Sequence, residues 1–203
     1  MYLATLDLIY RVKLKRISLG YSQAELSFLL GYPKDHIELI EDLSNEKEYM
    51  LSNLLSLAYI FNCQPRSLFS ECLPPNEYIQ VRSEKKILGN RIYYEAWRVN
   101  ETEAEELLYK LFEDDPSLNC SSRKIEKVEK VMNLIDELFN DGFFDEPKNA
   151  LEIFHQCQNK IGADILPRFI ESALNVYLFI KTFPKLKMME EGNCFVYRKV
   201  EDD

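Results

Sequence analysis

The chain has 203 residues, of which 25 are Lys or Arg and 34 are Asp or Glu, so its formal net charge at pH 7 is −9. This length allows one large domain or two small ones with their own hydrophobic cores, and we expect two. The negative charge excludes a protein that attracts nucleic acid through its overall charge, so that any DNA binding needs a local basic patch.

The cysteines and the hydropathy pattern predict where the protein resides. An odd number of scattered cysteines with mostly apolar neighbours is typical of reduced core residues in a cytoplasmic protein. The longest apolar stretches are soon interrupted and the N-terminus lacks the layout of a secretion signal, so we expect a soluble cytoplasmic protein with no membrane partner. The cysteines are Cys63, Cys72, Cys120, Cys157 and Cys194.

The N-terminal residues 11–26 have the pattern of two helices joined by a short turn. A basic helix ends at Gly20, and Ser22 with Glu25 forms a capping box that starts the next helix. Gly31 then permits a sharp turn into a third short helix over residues 34–42. With a further helix at 51–61 and a short turn at 65–69, this region predicts a five-helix domain over residues 1–72.

The middle of the chain changes from helical to alternating hydrophobicity. Residues 78–82 and 91–99 are predicted to be strands joined around Gly89-Asn90. Asn100 and Glu103 are then predicted to cap a helix. We interpret residues 73–122 as a connector, bounded by Pro74-Pro75 and by the polar segment 113–122. The apolar stripe of the predicted helix is Ala104, Leu107, Leu108, Leu111 and Phe112.

Residues 123–203 contain three predicted helices and a C-terminal hairpin. The helices cover residues 123–142, 150–158 and 167–182, and the hairpin strands are 186–189 and 194–200. Three helices followed by a hairpin is the element order of a winged helix. The whole chain is therefore predicted to be mainly α with two short β-hairpins, its last domain being winged-helix-like.

Residues 11–69 resemble the phage-repressor and Cro type of helix-turn-helix protein, often called the Xre family. The resemblance implies a lambda-repressor-like helix-turn-helix fold and a DNA-binding transcriptional regulator that contacts double-stranded DNA. The matching residues are Arg11-Val12-Lys13, Lys15-Arg16-Ile17, Leu19-Gly20, Gln23-Ala24-Glu25-Leu26, Gly31, Ile37 and Glu41.

The resemblance also implies roles for individual residues. Arg16 and Glu41 occupy the positions of an internal ion pair between the first and third helices, the alternative for Arg16 being an exposed, solvated charge. Gln23 is placed at a phosphate or a neighbouring base, and the start of the third helix is placed at base edges. The residues predicted to contact DNA are Arg11, Lys13, Arg16, Ser22, Gln23, Lys34, Asp35, His36 and Leu39.

The third helix departs from the family pattern because it is acidic. Lys34 is its single cation, against Asp35, Glu38, Glu41 and Asp42. An ordinary DNA-binding protein neutralises about 6 to 10 phosphates, so we expect a homodimer if DNA is the partner. The competing hypothesis is a protein interaction module that has kept the helix-turn-helix scaffold and lost its affinity for DNA.

A second DNA contact is predicted at the C-terminal helix and hairpin. Arg168 lies at the start of the third helix of this region, and Lys185, Lys187 and Arg198 lie on the hairpin with Lys199. The alternative is that this domain dimerises or docks a protein partner through its aromatic residues. Those residues are Tyr177, Phe179 and Phe183.

We predict no enzymatic activity, metal or cofactor. His155 and Cys157 are two residues apart on a predicted helix and point in different directions, which is unsuitable for a nucleophile and its base. The chain has neither a Cys-x-x-Cys zinc motif nor a glycine-rich phosphate loop. Tyr93, Tyr94 and Trp97 are either a ligand surface or, as is more usual for aromatic strand residues, part of the core.

Overall fold

The computed structural model of the protein describes residues 1–70, 73, 74, 76–115, 122–182 and 184–200. It is 45% helical and 24% strand, with seven helices and two three-stranded antiparallel sheets in the described ranges. The prediction of a mainly α fold with two short hairpins is therefore wrong, and the fold is a mixture of α and β. Cys72, Pro75, Cys120 and Phe183, which entered the predictions above, lie outside the described residues.

The described residues form two compact units rather than the three predicted domains. The N-terminal unit combines Met1–Gln23 with Asp35–Asn119, and the C-terminal unit combines Ala24–Lys34 with Cys120–Asp203. The predicted connector thus belongs to the N-terminal unit. Residues 24–34, predicted to belong to the helix-turn-helix domain, are grouped with the C-terminal half of the chain.

The helices of the first 70 residues begin and end close to the predicted positions. They are α1 (Leu3–Ser18), α2 (Gln23–Leu29), α3 (His36–Glu41) and α4 (Leu51–Ile60), followed by a 3-10 turn at Pro65–Leu68. Along α1 the buried side chains recur at helical spacing, as expected for a helix with one face in the core. These buried residues include Leu6, Ile9, Val12, Lys13 and Arg16.

A three-stranded antiparallel sheet completes the N-terminal unit. Its strands are β1 (Gln80–Leu88), β2 (Arg91–Val99) and β3 (Glu105–Asp114), with β2 in the centre. The helix predicted after Asn100 is wrong, since Asn100 and Glu103 lie in the turn between β2 and β3, where the Glu103 amide donates to the Asn100 carbonyl at 2.9 Å.

The failed helix prediction has an identifiable cause in β3. The register changes so that Tyr109 faces Ala96 while Leu107 faces Trp97, which leaves Leu108 as an extra residue on β3. Such a bulge shifts the alternation of apolar residues by one position. The apolar positions on either side of it then recur at three and four residues, which mimics a helix.

The two faces of this sheet separate the aromatic residues of β2. Ala96 is buried in a core cluster that includes Leu6 and Tyr109, and Tyr94 is also buried. Trp97 is only half-buried, and the Arg82 guanidinium lies 4.0 Å from the centre of its ring. The core interpretation of the strand aromatics is therefore confirmed for Tyr94, whereas Trp97 lies partly in solvent.

The C-terminal unit contains the predicted three helices and hairpin, with an added strand. The order of its elements is α5 (Ser122–Asn140), β4 (Lys148–Asn149), α6 (Ala150–Ile161), α7 (Pro167–Asn175), β5 (Leu186–Glu191) and β6 (Cys194–Lys199). The sheet order is β4-β6-β5. The third predicted helix is shorter than expected, because α7 ends at Asn175 and a π-helical turn occupies Val176–Ile180. Every helix in the described parts of the chain is too short or too polar to span a bilayer.

Gly31 is held where a larger residue would not fit. Its φ is +76°, its carbonyl accepts a hydrogen bond from the Phe195 amide at 2.7 Å, and an added Cβ would lie 3.1 Å from Cβ of Cys194. We expect Gly31→Ala to lower the free energy of unfolding by about 1–3 kcal/mol, measured by urea denaturation.

The matched control for Gly31 is Gly192→Ala. Gly192 has a φ of +64° but nothing within 4 Å of an added Cβ, so this substitution carries the backbone strain without the steric contact. We therefore expect a smaller loss at Gly192. Equal losses at the two positions would contradict a steric role for the contact with Cys194.

Candidate nucleic-acid interface

Arg16 lies at the centre of a buried ion network in the N-terminal unit. Its side chain has no solvent exposure and donates to both carboxylate oxygens of Glu41, at 2.9 and 3.0 Å. It also donates to Glu113 of β3, at 2.6 and 3.2 Å, and to the carbonyl of Tyr21 at 2.7 Å. The predicted ion pair between Arg16 and Glu41 is confirmed, and the alternative of an exposed Arg16 is wrong.

Lys13 and Gln23 extend this network. The Lys13 ammonium donates to the carbonyl of Glu41 at 3.1 Å and lies 4.6 Å from the centre of the Tyr94 ring, while the Gln23 amide donates to the Glu41 carboxylate at 2.8 Å. Burial lowers the pKa of Lys13, although the Glu41 charge opposes this effect. Burial alone would raise the pKa of Glu41, but Arg16 and Lys13 reverse the shift and hold it below its ordinary value.

Glu113 is the member of the network that the sequence interpretation missed. It directly follows the last apolar residue of a segment that was predicted to be a helix. At that position a charged residue indicated only the solvent-exposed end of the helix. The strand assignment would have placed it beside the Tyr94 strand, since β2 and β3 are paired. Burial and the neighbouring Glu113 carboxylate raise the pKa of Tyr94, whose hydroxyl donates to that carboxylate.

Two predicted DNA contacts must be corrected in consequence. The Lys13 and Arg16 side chains are 2% and 0% exposed, so neither cation is available to a phosphate at the surface. Arg11 remains partly exposed but is paired with Asp7 at 2.9 Å and donates to the Ser70 hydroxyl. Three of the four cations of the first helix, Arg11, Lys13 and Arg16, are therefore engaged in contacts within the protein.

The residues predicted to read bases are divided between the two units. Lys34 belongs to the C-terminal unit, is 72% exposed and is paired with Glu171 at 3.0 Å. Asp35 belongs to the N-terminal unit and is exposed, and His36 and Leu39 are half-buried on α3. Ser22 and Gln23, at the start of α2, are also half-buried.

The surface of the N-terminal unit around α3 is acidic. Asp35, Glu38 and Asp42 are exposed, and the Glu38 carboxylate pairs with the Lys85 ammonium at 2.7 Å. Over residues 1–23 and 35–119 the chain has 12 Lys and Arg against 18 Asp and Glu. This unit therefore has the wrong charge for strong attraction to a phosphate backbone.

The start of α7 is occupied by an acidic residue from α2. The Glu25 carboxylate, which is 3% exposed, accepts from the Arg168 guanidinium at 2.7 Å and from the Arg168 backbone amide at 3.1 Å. The Arg168 side chain is 21% exposed. The predicted DNA contact by Arg168 is corrected accordingly, because DNA binding would have to break a largely buried ion pair.

The cations of the β5–β6 hairpin are placed differently. Lys187 lies directly opposite Arg198, so the two side chains share one face of the hairpin, and Lys185 is exposed just before β5. Lys199 faces Leu186 and lies on the other side. Among the described residues, neither Lys185 nor Lys187 has a carboxylate within 4.0 Å, whereas Arg198 donates to the carbonyl of Asp145 at 3.0 Å.

The C-terminal unit is also slightly acidic. Residues 24–34 and 120–203 contain 13 Lys and Arg against 16 Asp and Glu. Glu190 and Glu191 are exposed at the tip of the hairpin, away from the Lys187 end. The basic face is therefore a local patch at the base of the hairpin.

A mostly apolar groove of about 530 Å³ lies between α7, the π-helical turn and the hairpin. Phe179 and Ile180 are 76% and 74% exposed beside it, and Met188 is 46% exposed. Tyr177, by contrast, is buried, and its hydroxyl donates to Asp136 at 2.9 Å. The predicted protein contact through Tyr177 is therefore wrong, whereas Phe179 remains available.

Neither His155 nor Cys157 has the environment of a catalytic group. Both lie on α6, where burial raises the pKa of Cys157 to about 12 and lowers the pKa of His155. A thiol with so high a pKa is protonated at neutral pH and is a poor nucleophile. Within the described ranges, no group of three or more His, Cys, Asp and Glu side chains is arranged to hold a metal ion.

Acid is expected to destabilise the protein through Glu41. The pKa of this carboxyl is lower in the folded protein than its ordinary value of 4.5, so its contribution to stability is present above pH 4.5 and is lost as the pH falls through the folded value. We expect Glu41→Gln to flatten the acid limb of the stability curve, measured by urea denaturation at a series of pH values. Glu38→Gln, at an exposed carboxylate of the same helix, should leave it unchanged, and an unchanged limb in Glu41→Gln would contradict the assignment.

Comparison of the chain with models of protein families, with curated proteins and with solved structures gave no match. Function must therefore be inferred from the placement of the side chains. Two surfaces of the C-terminal unit are chemically distinct, namely the basic face of the hairpin and the apolar groove.

Proposed function

We propose that the protein is a DNA-binding transcriptional regulator whose phosphate contacts come mainly from the β5–β6 hairpin. The observation that carries the proposal is the direct opposition of Lys187 and Arg198, with Lys185 exposed beside them. Like charges facing each other across a strand pair are destabilising on their own. A phosphate oxygen between them would relieve that repulsion and accept hydrogen bonds from both.

The N-terminal helices support the same proposal through their resemblance to helix-turn-helix proteins. The bidentate pair between Arg16 and Glu41, with Gln23 attached to it, holds α1 and α3 together in the way that the resemblance implies. We assign base contacts to His36 and Leu39 at the start of α3. The exposed acids beside them keep this contribution small, so the hairpin supplies most of the affinity.

The small number of cations on the hairpin calls for a dimer. Three hairpin cations per chain fall short of the roughly 6 to 10 phosphates that a specific binder neutralises, and a second copy doubles them. We assign the apolar groove beside Phe179 and Ile180 to this second copy, since exposed apolar patches commonly mark protein interfaces.

Removing the exposed apolar side chains is expected to abolish the dimer. We expect light scattering after size exclusion to give a dimer for the natural chain at micromolar concentration and a monomer for the Phe179→Ser, Ile180→Ser variant. Leu51→Ser, at a 79% exposed residue of the N-terminal unit, is the control that should stay dimeric. A monomeric natural chain would contradict the assignment of the groove.

The experiment that tests the proposed function is selection of bound duplexes from a random DNA pool by the intact protein. We expect enrichment of a site with two related half-sites, confirmed by fluorescence anisotropy at ~50 mM salt, where electrostatic association is strongest. Absence of both enrichment and binding at that salt concentration would refute DNA binding.

A second candidate function is a protein interaction module that has lost its affinity for DNA. It is favoured by the internal neutralisation of Lys13 and Arg16 together with the exposed acids Asp35, Glu38 and Asp42. Its partner would be a protein with a basic surface. Failure to bind DNA, together with a salt-sensitive complex between the acidic α3 surface and such a partner, would establish this alternative.

We place the regulator in the cytoplasm. Cys63, Cys157 and Cys194 are free thiols in the described structure, which suits a reducing compartment. We assign no enzymatic activity and no cofactor to it.

A further inference from the structure

A small, partly open cavity with both charged and apolar walls lies in the N-terminal unit. Its volume is about 180 Å³, and its walls come from α1, the first residue of α2, α3 and all three strands of the β1–β3 sheet. Since a water molecule occupies about 30 Å³ in the liquid, this space holds about six waters and suits a molecule of roughly six non-hydrogen atoms. The residues on which the inference depends are Lys13, Glu38, Asp42, Lys85 and Tyr94.

Lys13 supplies an incompletely satisfied cation to this cavity. An ammonium group has three N–H donors, but among the described residues Lys13 makes one hydrogen bond, to the Glu41 carbonyl at 3.1 Å. The closest Glu41 carboxylate oxygen is 3.9 Å from the ammonium, which is too long for a hydrogen bond. A buried ammonium with unused donors favours a ligand that brings an anionic oxygen.

Acidic groups line the same cavity. They are Glu38 on α3 and Asp42 directly after it; Asp42 accepts from the Ser44 hydroxyl at 2.7 Å, and Glu38 is paired with Lys85. Both carboxylates belong to exposed residues and keep lone pairs for a further donor. These carboxylates therefore favour the cationic end of a ligand.

The charge balance of the unit selects a ligand that is neutral overall. Lys13 and Arg16 already balance Glu41 and Glu113, so a simple anion would add an uncompensated negative charge close to Asp42 and Glu38. A simple cation would leave the Lys13 donors unused. A molecule with both charges satisfies the Lys13 ammonium and the carboxylates together.

We infer that this cavity binds a small zwitterion of the free α-amino acid class. Its carboxylate is bound by Lys13, and its ammonium group is bound by Asp42 and Glu38. Because α3 forms one wall, occupation of the cavity ties α3 to β1 and β2. The inference does not depend on DNA binding.

The test uses thermal unfolding and titration calorimetry of the full chain with a panel of free amino acids at millimolar concentration. We expect one or more of the smaller amino acids to raise the melting temperature, whereas acetate, propionate and ethylamine, each with a single charge, should not. A shift with acetate alone would show a simple anion site, and the absence of a shift with every amino acid would also overturn the inference.

Two substitutions check which residues bind the carboxylate of the ligand and which bind its ammonium group. Asp42→Asn, at an exposed residue, is expected to fold normally and to weaken binding about tenfold, while Asp35→Asn, an exposed acid outside the cavity wall, should leave binding unchanged. Lys13→Met should abolish binding. If Lys13→Met fails to fold, the comparison of the two Asp variants still decides, since equal affinity in both would overturn the inference.

Discussion

Replacing Arg16 with Met is expected to lower the free energy of unfolding by about 3–5 kcal/mol, because the change leaves two carboxylates without their shared cation. The Glu41 side chain has no exposure and that of Glu113 has 10%, so water cannot replace the lost hydrogen bonds at Glu41. The measurement is urea denaturation followed by far-UV circular dichroism at pH 7. We expect the loss of stability to come from the buried carboxylates that are left unpaired, rather than from the removal of a positive charge as such.

Two controls separate these causes. Arg11→Met removes the same charge from the same helix, but the Arg11 side chain is 35% exposed and its partner Asp7 is partly exposed, so we expect a loss within about 1 kcal/mol. The double variant Arg16→Met, Glu113→Gln should recover part of the loss, since Glu113 is then neutral and Lys13 remains to balance Glu41. A loss of less than about 1 kcal/mol in Arg16→Met would show that the network contributes little to stability.

Replacing Lys185, Lys187 and Arg198 together with Gln is expected to weaken binding to duplex DNA by about 100-fold at ~50 mM salt. Each cation that contacts a phosphate releases a counterion, so the slope of log affinity against log salt should become less steep by about three. Fluorescence anisotropy with a selected duplex, repeated over a series of salt concentrations, measures both quantities.

The control for the hairpin is the triple variant Lys86→Gln, Arg91→Gln, Lys110→Gln. It also removes three positive charges, but from cations on the β1–β3 sheet that are already paired with carboxylates, at 3.0 Å for Lys86 and 3.5 Å for Arg91. We expect its affinity to change little. Equal losses in the two variants would indicate a response to net charge and would contradict phosphate contact by the hairpin.

Several local features were predictable because they depend on neighbouring residues in the chain. The turn glycines Gly31 and Gly89 adopt positive φ, and a capping box between Asn149 and Glu152 starts α6 close to its predicted first residue. Alternation identified β2 and the hairpin strands. The strand β3 was missed because the bulge at Leu108 gives its apolar residues a helical spacing.

The burial and the partners of the charged side chains were much less predictable. Charge on an amphipathic helix normally indicates a solvated face, and the resemblance placed Lys13 and Arg16 in contact with DNA, whereas the structure buries both. The resemblance of residues 11–69 to a known scaffold located the pair between Arg16 and Glu41, but Glu113 lies 97 residues from Arg16 and had no signal in a segment assigned to a helix.

The amino-acid sequence alone determined where most helices begin and end and where the chain turns. Only the tertiary structure decided which cations remain available to a partner, because that depends on acids brought close by folding. Glu25 and Arg168, 143 residues apart, are the clearest case. Local backbone preferences are encoded within a few residues, whereas burial and charge pairing depend on contacts between distant segments.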